Sequence, residues 1–236
     1  MISAQLREYQ IGDDIRKINW TITAKLGKPY IKEFHANREL SVVVCALLDG
    51  GMYFAKGNQK QEKLSEVASI IGYLTEQNSD LYTGIAYSQS ASIETLPTKQ
   101  LYLIEQFTQA LYTAPLLGTK LEYNDAIAKL FKRLIKPSLV FVIGDFLEEV
   151  DLSILAQKHE VIAIIIRDKA EESPAPLGEV TLHNTQNHSE KETYFGKKAI
   201  QQYQAKLQAH FIKYDIRSVK IFTDEEVVLK LLKLFV

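Results

Sequence analysis

The stretch "SVVVCALLD", residues 41–49, is a continuous apolar run that ends in an aspartate. A half-exposed strand alternates apolar and polar side chains, whereas a strand buried on both faces is apolar throughout, as in a parallel sheet. The same pattern returns in "SLVFVIGDF", residues 138–146, and in "EVIAIIIRD", residues 160–168. These three stretches therefore predict buried, parallel strands.

Segments between and after these runs carry apolar residues at helical spacing. They predict amphipathic helices at residues 60–77, 99–113, 121–135, 196–215 and 225–235, with a last strand at residues 218–223. Thr119, just before the third helix, is a candidate N-cap. Strands that alternate with helices of this length predict an α/β fold, namely a Rossmann-like, doubly wound and mostly parallel sheet.

Length, hydrophobic content, charge and cysteine count limit the kinds of protein that this chain can be. The chain has 236 residues, of which 46% are hydrophobic, and a net charge of -1. This suffices for a sizeable core and does not favour a nucleic-acid or anionic-membrane surface. The single cysteine, Cys45, lies in the first apolar run and is predicted to be a buried thiol, which fits a reducing cytoplasm. No apolar run reaches the roughly 18 residues of a membrane span, so we expect a cytoplasmic chain that reaches a membrane only through partners.

Carboxylates stand where the predicted strands end. In parallel sheets, ligands bind outside the carboxyl ends of the strands, and Asp49, Asp145 and Asp168 occupy these positions. Together with the Thr119 hydroxyl, Asp49 and Asp145 offer the oxygen ligands that Mg²⁺ prefers. A strand-end aspartate is also commonly a turn residue or a helix cap, and this alternative stays open.

Known nucleotide-binding and hydrolytic motifs do not fit. Gly51 and Gly57 are separated by five residues and followed by Asn58, so the loop is not a phosphate-binding P-loop. The sequence contains no G-x-G-x-x-G, no G-x-S-x-G and no HExxH. Nucleotide binding is therefore not expected.

One enzymatic hypothesis remains. A Rossmann-like phosphohydrolase or nuclease could use Mg²⁺ held by Asp49 and Asp145. Such an enzyme also needs a cation to grip phosphate, and the candidates by sequence proximity are Lys56, Lys60 and Lys120.

The opening segment carries a specific resemblance. "REYQIGDDIRKINW", residues 7–20, followed by "AKLGKPYIKEF", residues 24–34, closely resembles the bacterial domain-of-unknown-function family 58. The hallmark of that family is R-x-Y-x-x-G-D-D-x-R-x-I-D/N-W before a von Willebrand factor A-like domain. The matching residues are Arg7, Tyr9, Gly12, Asp13, Asp14, Arg16 and Trp20. The resemblance implies an N-terminal arm, residues 1–40, packed on a von Willebrand factor A-like domain, residues 41–236.

This resemblance also implies a metal-ion-dependent adhesion site of the form D-x-S-x-S, then Thr, then Asp. Asp49, Thr119 and Asp145 match that pattern, whereas Gly51 and Tyr53 stand where the serines are expected. Two of five oxygen ligands are therefore missing, which predicts a degenerate site with weak or absent Mg²⁺ binding.

The function that the resemblance implies is not catalytic. It is a protein–protein interaction or scaffold module that works with a neighbouring MoxR-type AAA+ ATPase in complex assembly or cell-envelope maintenance. We expect no enzymatic activity and no nucleotide, with a protein as the partner.

Two interpretations of the opening motif stay open. In the first it is a structural brace, in which residues 12–14 bend, an aspartate caps a helical turn at residues 15–18, and Arg7 and Arg16 pair with the aspartates. In the second the motif is a surface that binds a partner. Exposed ion pairs contribute little stability, typically below about 1 kcal/mol each, so stability alone explains this concentration of charge poorly.

Overall fold

The computed structural model describes residues 2–10, 13–14, 16, 18–36, 39–53, 57–89, 92–172, 182–183, 190–191, 197–232 and 234. The chain divides into two compact units, Met1–Glu39 and Leu40–Val236. Each unit has a sheet of its own.

The first unit is built on an antiparallel pair of strands, β1 (Ile2–Glu8) and β2 (Tyr30–Ala36). The sequence indicates the second of these strands, because apolar and polar residues alternate after Pro29. The first strand was not predicted. Its hydrogen-bonding partner lies more than twenty residues away, and local sequence patterns do not report such pairing.

A short helix, α1 (Trp20–Leu26), connects these two strands. The Asn19 side chain caps it by accepting a hydrogen bond from the Ile22 backbone N–H at 3.3 Å. The helix ends at Gly27, whose φ of 71° is the left-handed conformation that glycine adopts at low cost. The helix therefore lies later in the chain than the predicted turn at residues 15–18, of which residues 15 and 17 lie outside the described residues.

The second unit contains a six-stranded sheet and a small hairpin. The strands in chain order are β3 (Ser41–Leu47), β4 (Leu81–Tyr87), β5 (Ser92–Glu94), β6 (Leu139–Gly144), β7 (Glu160–Arg167), β8 (Leu182–His183), β9 (Glu190–Lys191) and β10 (Arg217–Phe222). The six-stranded sheet has the order β10-β7-β6-β3-β4-β5. Every neighbouring pair in it is parallel except β4 and β5, and β8 pairs with β9 antiparallel. The predicted α/β fold with a mostly parallel sheet is confirmed.

Five helices of the second unit lie at the predicted positions to within a few residues, whereas the short helix Lys169–Glu172 was not predicted. The helices of this unit are α2 (Gln59–Gln77), α3 (Leu101–Thr113), α4 (Tyr123–Arg133), α5 (Ser153–Ala156), α6 (Lys169–Glu172), α7 (Lys197–Lys213) and α8 (Val227–Leu232). A short 3₁₀ helix, Gly50–Met52, follows β3. In the parts of the chain that the structure describes, no helix is both long and apolar enough to cross a bilayer.

The central strand β3 is buried on both faces, which explains its continuous apolar sequence. Val42, Val44 and Ala46 belong to one core cluster. Val43, Cys45 and Leu47 belong to the cluster on the opposite face. Cys45 is fully buried, and burial raises the pKa of its thiol to about 12, so it is an inert core residue.

Candidate functional site

The carboxyl ends of the central strands bring two predicted aspartates together. Strands β3 and β6 are parallel neighbours, with Ala46 opposite Ile143. Asp49 and Asp145 follow these strands directly, so they lie at the same edge of the sheet. Both are buried, with 1% of the residue exposed in each case.

Asp49 is built into the turn that leaves β3. Its Oδ1 accepts a hydrogen bond from the Gly51 backbone N–H at 2.8 Å and so caps the 3₁₀ helix. The Gly50 backbone N–H donates to the Thr119 carbonyl at 2.9 Å. This second bond ties the turn to the loop between α3 and α4.

Asp145 has hydrogen-bond or ionic partners at both carboxylate oxygens. Its Oδ1 accepts hydrogen bonds from the Tyr123 hydroxyl at 2.8 Å and from the Leu147 backbone N–H at 3.1 Å. Its Oδ2 lies 3.3 Å from the Lys60 ammonium, whose side chain is only 1% exposed. The carboxylate is therefore held by elements that are distant in sequence.

Lys60 joins this pair to a third carboxylate. Its Nζ donates to Glu171 Oε1 at 2.6 Å, and Glu171 Oε2 accepts from the Asp168 backbone N–H at 3.0 Å. We name the group formed by these side chains the carboxyl-edge cluster; it comprises Asp49, Lys60, Tyr123, Asp145 and Glu171. Tyr123 and Glu171 were not predicted as site residues, because no local sequence pattern indicates contacts over such sequence separations.

The charges of the cluster determine which carboxyl group holds a proton. Burial first, and then the neighbouring Asp145 carboxylate, raise the pKa of Asp49 to about 7. Burial also acts to raise the pKa of Asp145, but the Lys60 and Arg167 cations and the hydrogen bonds to the carboxylate outweigh it, so that the pKa is lowered. Arg167 is 2% exposed and donates to the Phe146 carbonyl at 3.1 Å. Asp145 is therefore the ionised partner, and Asp49 is the group that titrates near neutral pH.

Thr119 lies beside Asp49 but is not a helix cap. Its hydroxyl donates to the Leu116 carbonyl at 2.7 Å. Helix α4 begins at Tyr123, and its N-cap residue, Glu122, makes no side-chain capping bond. The predicted capping role of Thr119 is therefore wrong, because the hydroxyl closes the preceding turn instead.

Asp168 is a turn and helix-capping residue, which is the second of the two alternatives for a strand-end aspartate. Its Oδ1 accepts from the Ala170 backbone N–H at 2.8 Å, at the start of α6, and its Oδ2 accepts from the Thr223 hydroxyl at 3.0 Å. It thus stabilises the turn after β7, and it touches the carboxyl-edge cluster only through its backbone bond to Glu171.

Gly51 and Tyr53 stand at the positions where the adhesion-site pattern has serines, and their surroundings differ. A Cβ atom on Gly51 would lie 2.4 Å from Asp145 Oδ2 and 2.9 Å from Asp49 Oδ1, so no side chain fits there without displacing a carboxylate. Tyr53 is half-buried and packs against the core. The donor set of an adhesion site is therefore incomplete here, and the space beside the carboxylates is already taken.

Two further lysines were candidates for gripping phosphate, and neither is shown to join the carboxyl-edge cluster among the described residues. Lys120 is exposed and pairs with Glu122 at 2.9 Å, while Lys56 lies outside the described residues. Over the described residues, no group of three or more His, Cys, Asp or Glu side chains is placed to hold a metal ion. The residues described here thus do not fit the divalent cation that the von Willebrand factor A resemblance implies.

The opening motif of the first unit contains two ion pairs of different exposure. Arg7 forms a two-pronged pair with Asp13, with both N–O distances at 2.7 Å, and Asp13 also accepts from the Gln10 backbone N–H at 2.8 Å. Arg16 pairs with Asp14 at 3.0 Å, and the Arg16 side chain is 86% exposed. The first pair is the more enclosed one.

The remaining motif residues flank these pairs. The Tyr9 backbone N–H donates to the Pro29 carbonyl at 2.8 Å. Trp20 is the first residue of α1 and is 68% exposed. Gly12 lies outside the described residues.

Comparison with known proteins places the chain in a family. Residues 5–212 match the family described as "Protein of unknown function DUF58". The chain belongs to the DUF58 family. Among curated relatives, Uncharacterized protein Rv1480 of Mycobacterium tuberculosis (strain ATCC 25618 / H37Rv) is 22% identical over 189 residues, covering 77% of this chain and 59% of the relative. Uncharacterized protein Mb1516 of Mycobacterium bovis gives the same figures. The DUF58 chain thus spans about three fifths of the length of these relatives.

Solved structures resemble the DUF58 chain in fold. The conserved hypothetical protein BatB from Bacteroides thetaiotaomicron has a TM-score of 0.51 at 10% identity, covering 83% of this chain and 96% of BatB. The SpRpn10 VWA domain has a TM-score of 0.48 at 11% identity, covering 83% of this chain and 94% of that domain. The mostly parallel α/β sheet of this DUF58 protein is therefore similar in fold to that of BatB.

Proposed function

We propose that this DUF58 chain is a non-enzymatic interaction module that presents the carboxyl-terminal edge of its sheet to a protein partner. The observation that carries the proposal is that the charged side chains at this edge are buried and paired with one another. The Asp145 and Lys60 side chains are each 1% exposed and bonded to one another, so the buried charges hold the loops together and are not offered to a substrate.

The loops around the cluster are fixed in place and expose apolar side chains. Leu117 is 57% exposed in the loop that the Gly50–Thr119 hydrogen bond anchors. Leu147 is 45% exposed, although its backbone N–H is bound to Asp145. An exposed leucine alone is unremarkable, but apolar side chains on rigid loops beside a buried polar network are typical of interaction sites.

The conformation of Phe146 supports this interpretation. Its φ of 50° lies in the left-handed region, which is unfavourable for a bulky residue. The ring is nevertheless fully buried, and it packs edge-on against Phe211 with ring centroids 6.1 Å apart. Such strain persists where the surroundings enforce it, commonly at functional sites, and here it sets the backbone direction just before Leu147.

The partner that we propose is a MoxR-type AAA+ ATPase, with a role in complex assembly or cell-envelope maintenance. This choice rests on the family resemblance of the opening motif, and the fold is compatible with it. The competing proposal, an Mg²⁺-dependent phosphohydrolase or nuclease, requires carboxylates and a lysine that reach the substrate. Asp49, Asp145 and Lys60 are all buried, which favours the interaction module.

The experiment is a binding measurement between the purified chain and the MoxR-type ATPase of the same organism. The test variant is Leu117→Asp/Leu147→Asp, which places charge on the proposed surface. The matched control is Ile135→Asp, since Ile135 is 82% exposed and lies between α4 and β6, at the opposite edge of the sheet.

We expect the double variant to bind at least about tenfold more weakly, as loss of interface anchors does, and the control to bind like wild type. Absence of wild-type binding would reject the ATPase as partner, and equal losses in both variants would reject the surface. Metal-dependent turnover of phosphate esters that disappears in Asp49→Asn would establish the competing enzymatic function.

A further inference from the structure

The cation beside the two strand-end aspartates belongs to the protein itself. Lys60 Nζ lies 3.3 Å from Asp145 Oδ2 and 2.6 Å from Glu171 Oε1, and the three side chains are 1%, 1% and 7% exposed. An ammonium group needs several acceptors when it leaves water, and two carboxylates supply them here. A divalent cation at Asp145 would meet this positive charge at close range.

The position of Lys60 in its helix makes this arrangement specific. It is the second residue of α2, at the helix end whose exposed N–H groups disfavour a positive charge. A lysine that is also fully buried there is unfavourable unless anionic groups offset both costs. Asp145, directly after β6, and Glu171, in α6, supply those charges.

The absence of a side chain at residue 51 completes the arrangement. Asp145 Oδ2, the oxygen that faces Lys60, is also the atom that a Cβ on residue 51 would meet at 2.4 Å. Asp145 is held in that place by the Tyr123 hydroxyl and the Leu147 backbone N–H. Gly51 and Lys60 therefore both act on the same atom: Gly51 leaves space for Asp145 Oδ2, and Lys60 pairs with it.

We infer that the Lys60 ammonium takes the place of a divalent cation at this sheet edge, where it pairs with both Asp145 and Glu171. The carboxyl-edge cluster is then a metal-independent form of the adhesion site. A partner's acidic residue cannot complete a metal's coordination sphere here, so recognition relies on the surrounding loops. The inference concerns only this chain and does not depend on which partner binds.

The test compares the response of wild type and Lys60→Ala to Mg²⁺ and Mn²⁺, by calorimetric titration and by thermal unfolding. Removal of Lys60 leaves uncompensated carboxylates and the space of the side chain, so it creates the kind of oxygen site that divalent cations occupy. Lys60→Ala/Asp145→Asn is the matched control, because it lacks the central carboxylate of that site.

For wild type we expect no stoichiometric heat with either metal. For Lys60→Ala we expect a melting temperature that rises with the Mn²⁺ concentration, as it does when a ligand binds only the folded state, and for the double variant no such rise. Saturable, stoichiometric binding of Mg²⁺ or Mn²⁺ to wild type that is lost in Asp145→Asn would overturn the inference. The wild-type titration decides this alone if Lys60→Ala is too unstable to isolate.

Discussion

Lys60 and Asp145 lie 85 residues apart in the sequence and meet in the interior, where Nζ is 3.3 Å from Oδ2 and each side chain is 1% exposed. This contact joins the first turn of α2 to the end of β6. Through Glu171 it also reaches α6, so one ammonium group connects the segments that follow three neighbouring strands.

Gly51→Ser restores the residue type of the adhesion-site pattern, and we expect it to destabilise the protein. The added Cβ would lie 2.4 Å from Asp145 Oδ2, so the carboxylate must leave Lys60 or the turn must shift. Overpacking of this kind costs about 1–3 kcal/mol. Urea unfolding measures the loss, and the same substitution in an Asp145→Ala background should cost less, since the nearer of the two clashing oxygens is gone. Equal costs in both backgrounds would contradict the proposed clash.

Asp49→Asn should stabilise the protein at alkaline pH. Folding raises the pKa of Asp49 from the usual 3.8 to about 7, so between these values the unfolded chain releases a proton that the folded chain retains. The wild type therefore loses stability as the pH rises from about 4 to about 7, and the asparagine variant does not. Asparagine keeps an oxygen for the Gly51 N–H.

The measurement for Asp49→Asn is urea unfolding at pH 4.5, 6 and 8, which are about evenly spaced across the expected titration. The variant should come closest to wild type at the lowest pH and exceed it by roughly 3–4 kcal/mol at the highest, since each unit of pKa shift corresponds to about 1.4 kcal/mol. A variant that is less stable than wild type at pH 8 would show that the ionised carboxylate is favourable in the fold.

His159 should make the protein sensitive to acid. It is 5% exposed, and among the described residues neither of its ring nitrogens has a hydrogen-bond partner. Burial first, and then the nearby Lys158 cation, lower its pKa from the usual 6.5. As the pH falls below the usual pKa of 6.5, His159 binds a proton in the unfolded chain but stays neutral in the folded chain. The free energy of unfolding therefore decreases.

The matched variant is His159→Leu, which keeps the site filled and removes the titrating group. Its stability relative to wild type should rise steadily as the pH falls below about 6.5. Thermal unfolding between pH 5 and 8, about the range where histidine charge changes, measures this difference. A constant difference across that range would assign the acid sensitivity to other groups.

The two arginines of the opening motif should differ in structural importance. The Arg7–Asp13 pair is two-pronged at 2.7 Å, and the Asp13 side chain is only 19% exposed. The Arg16 side chain is 86% exposed, and exposed pairs contribute less than about 1 kcal/mol. Arg7→Ala should therefore accelerate hydrogen exchange of the amides in β1 and β2, whereas Arg16→Ala should leave it nearly unchanged.

This comparison separates the two interpretations of the motif. Faster exchange in Arg7→Ala supports the structural brace for the Arg7–Asp13 pair. Loss of partner binding in Arg16→Ala or Asp14→Ala with unchanged exchange supports a binding surface for the second pair. The single tryptophan, Trp20, is 68% exposed, so its fluorescence offers a direct signal for a partner that covers this part of the chain.

The strand ends were predictable from the sequence, and most of the cluster was not. Continuous apolar runs locate β3 and β6, and the parallel arrangement then places Asp49 and Asp145 at one edge. The contacts of Lys60 with Asp145 and Glu171 depend on how α2 and α6 pack over more than eighty residues of intervening chain. No local pattern encodes that packing.

Thr119 is a case in which a local sequence pattern was present but predicted the wrong hydrogen bond. Its residue type and its place before a helix fit a cap, yet the hydroxyl donates to Leu116 in the preceding turn and α4 begins four residues later. Hydroxyl side chains bond to whichever nearby backbone group the turn presents. Turn geometry, which the sequence specifies weakly, decided the outcome.

The most direct test of the central claim is a crystal structure of the wild-type chain grown with Mn²⁺, with anomalous diffraction recorded to locate the metal. We expect no anomalous peak beside Asp49 and Asp145, and we expect the Lys60 ammonium to contact Asp145 and Glu171. A peak bound by Asp49 and Asp145, with Lys60 displaced from them, would contradict the claim.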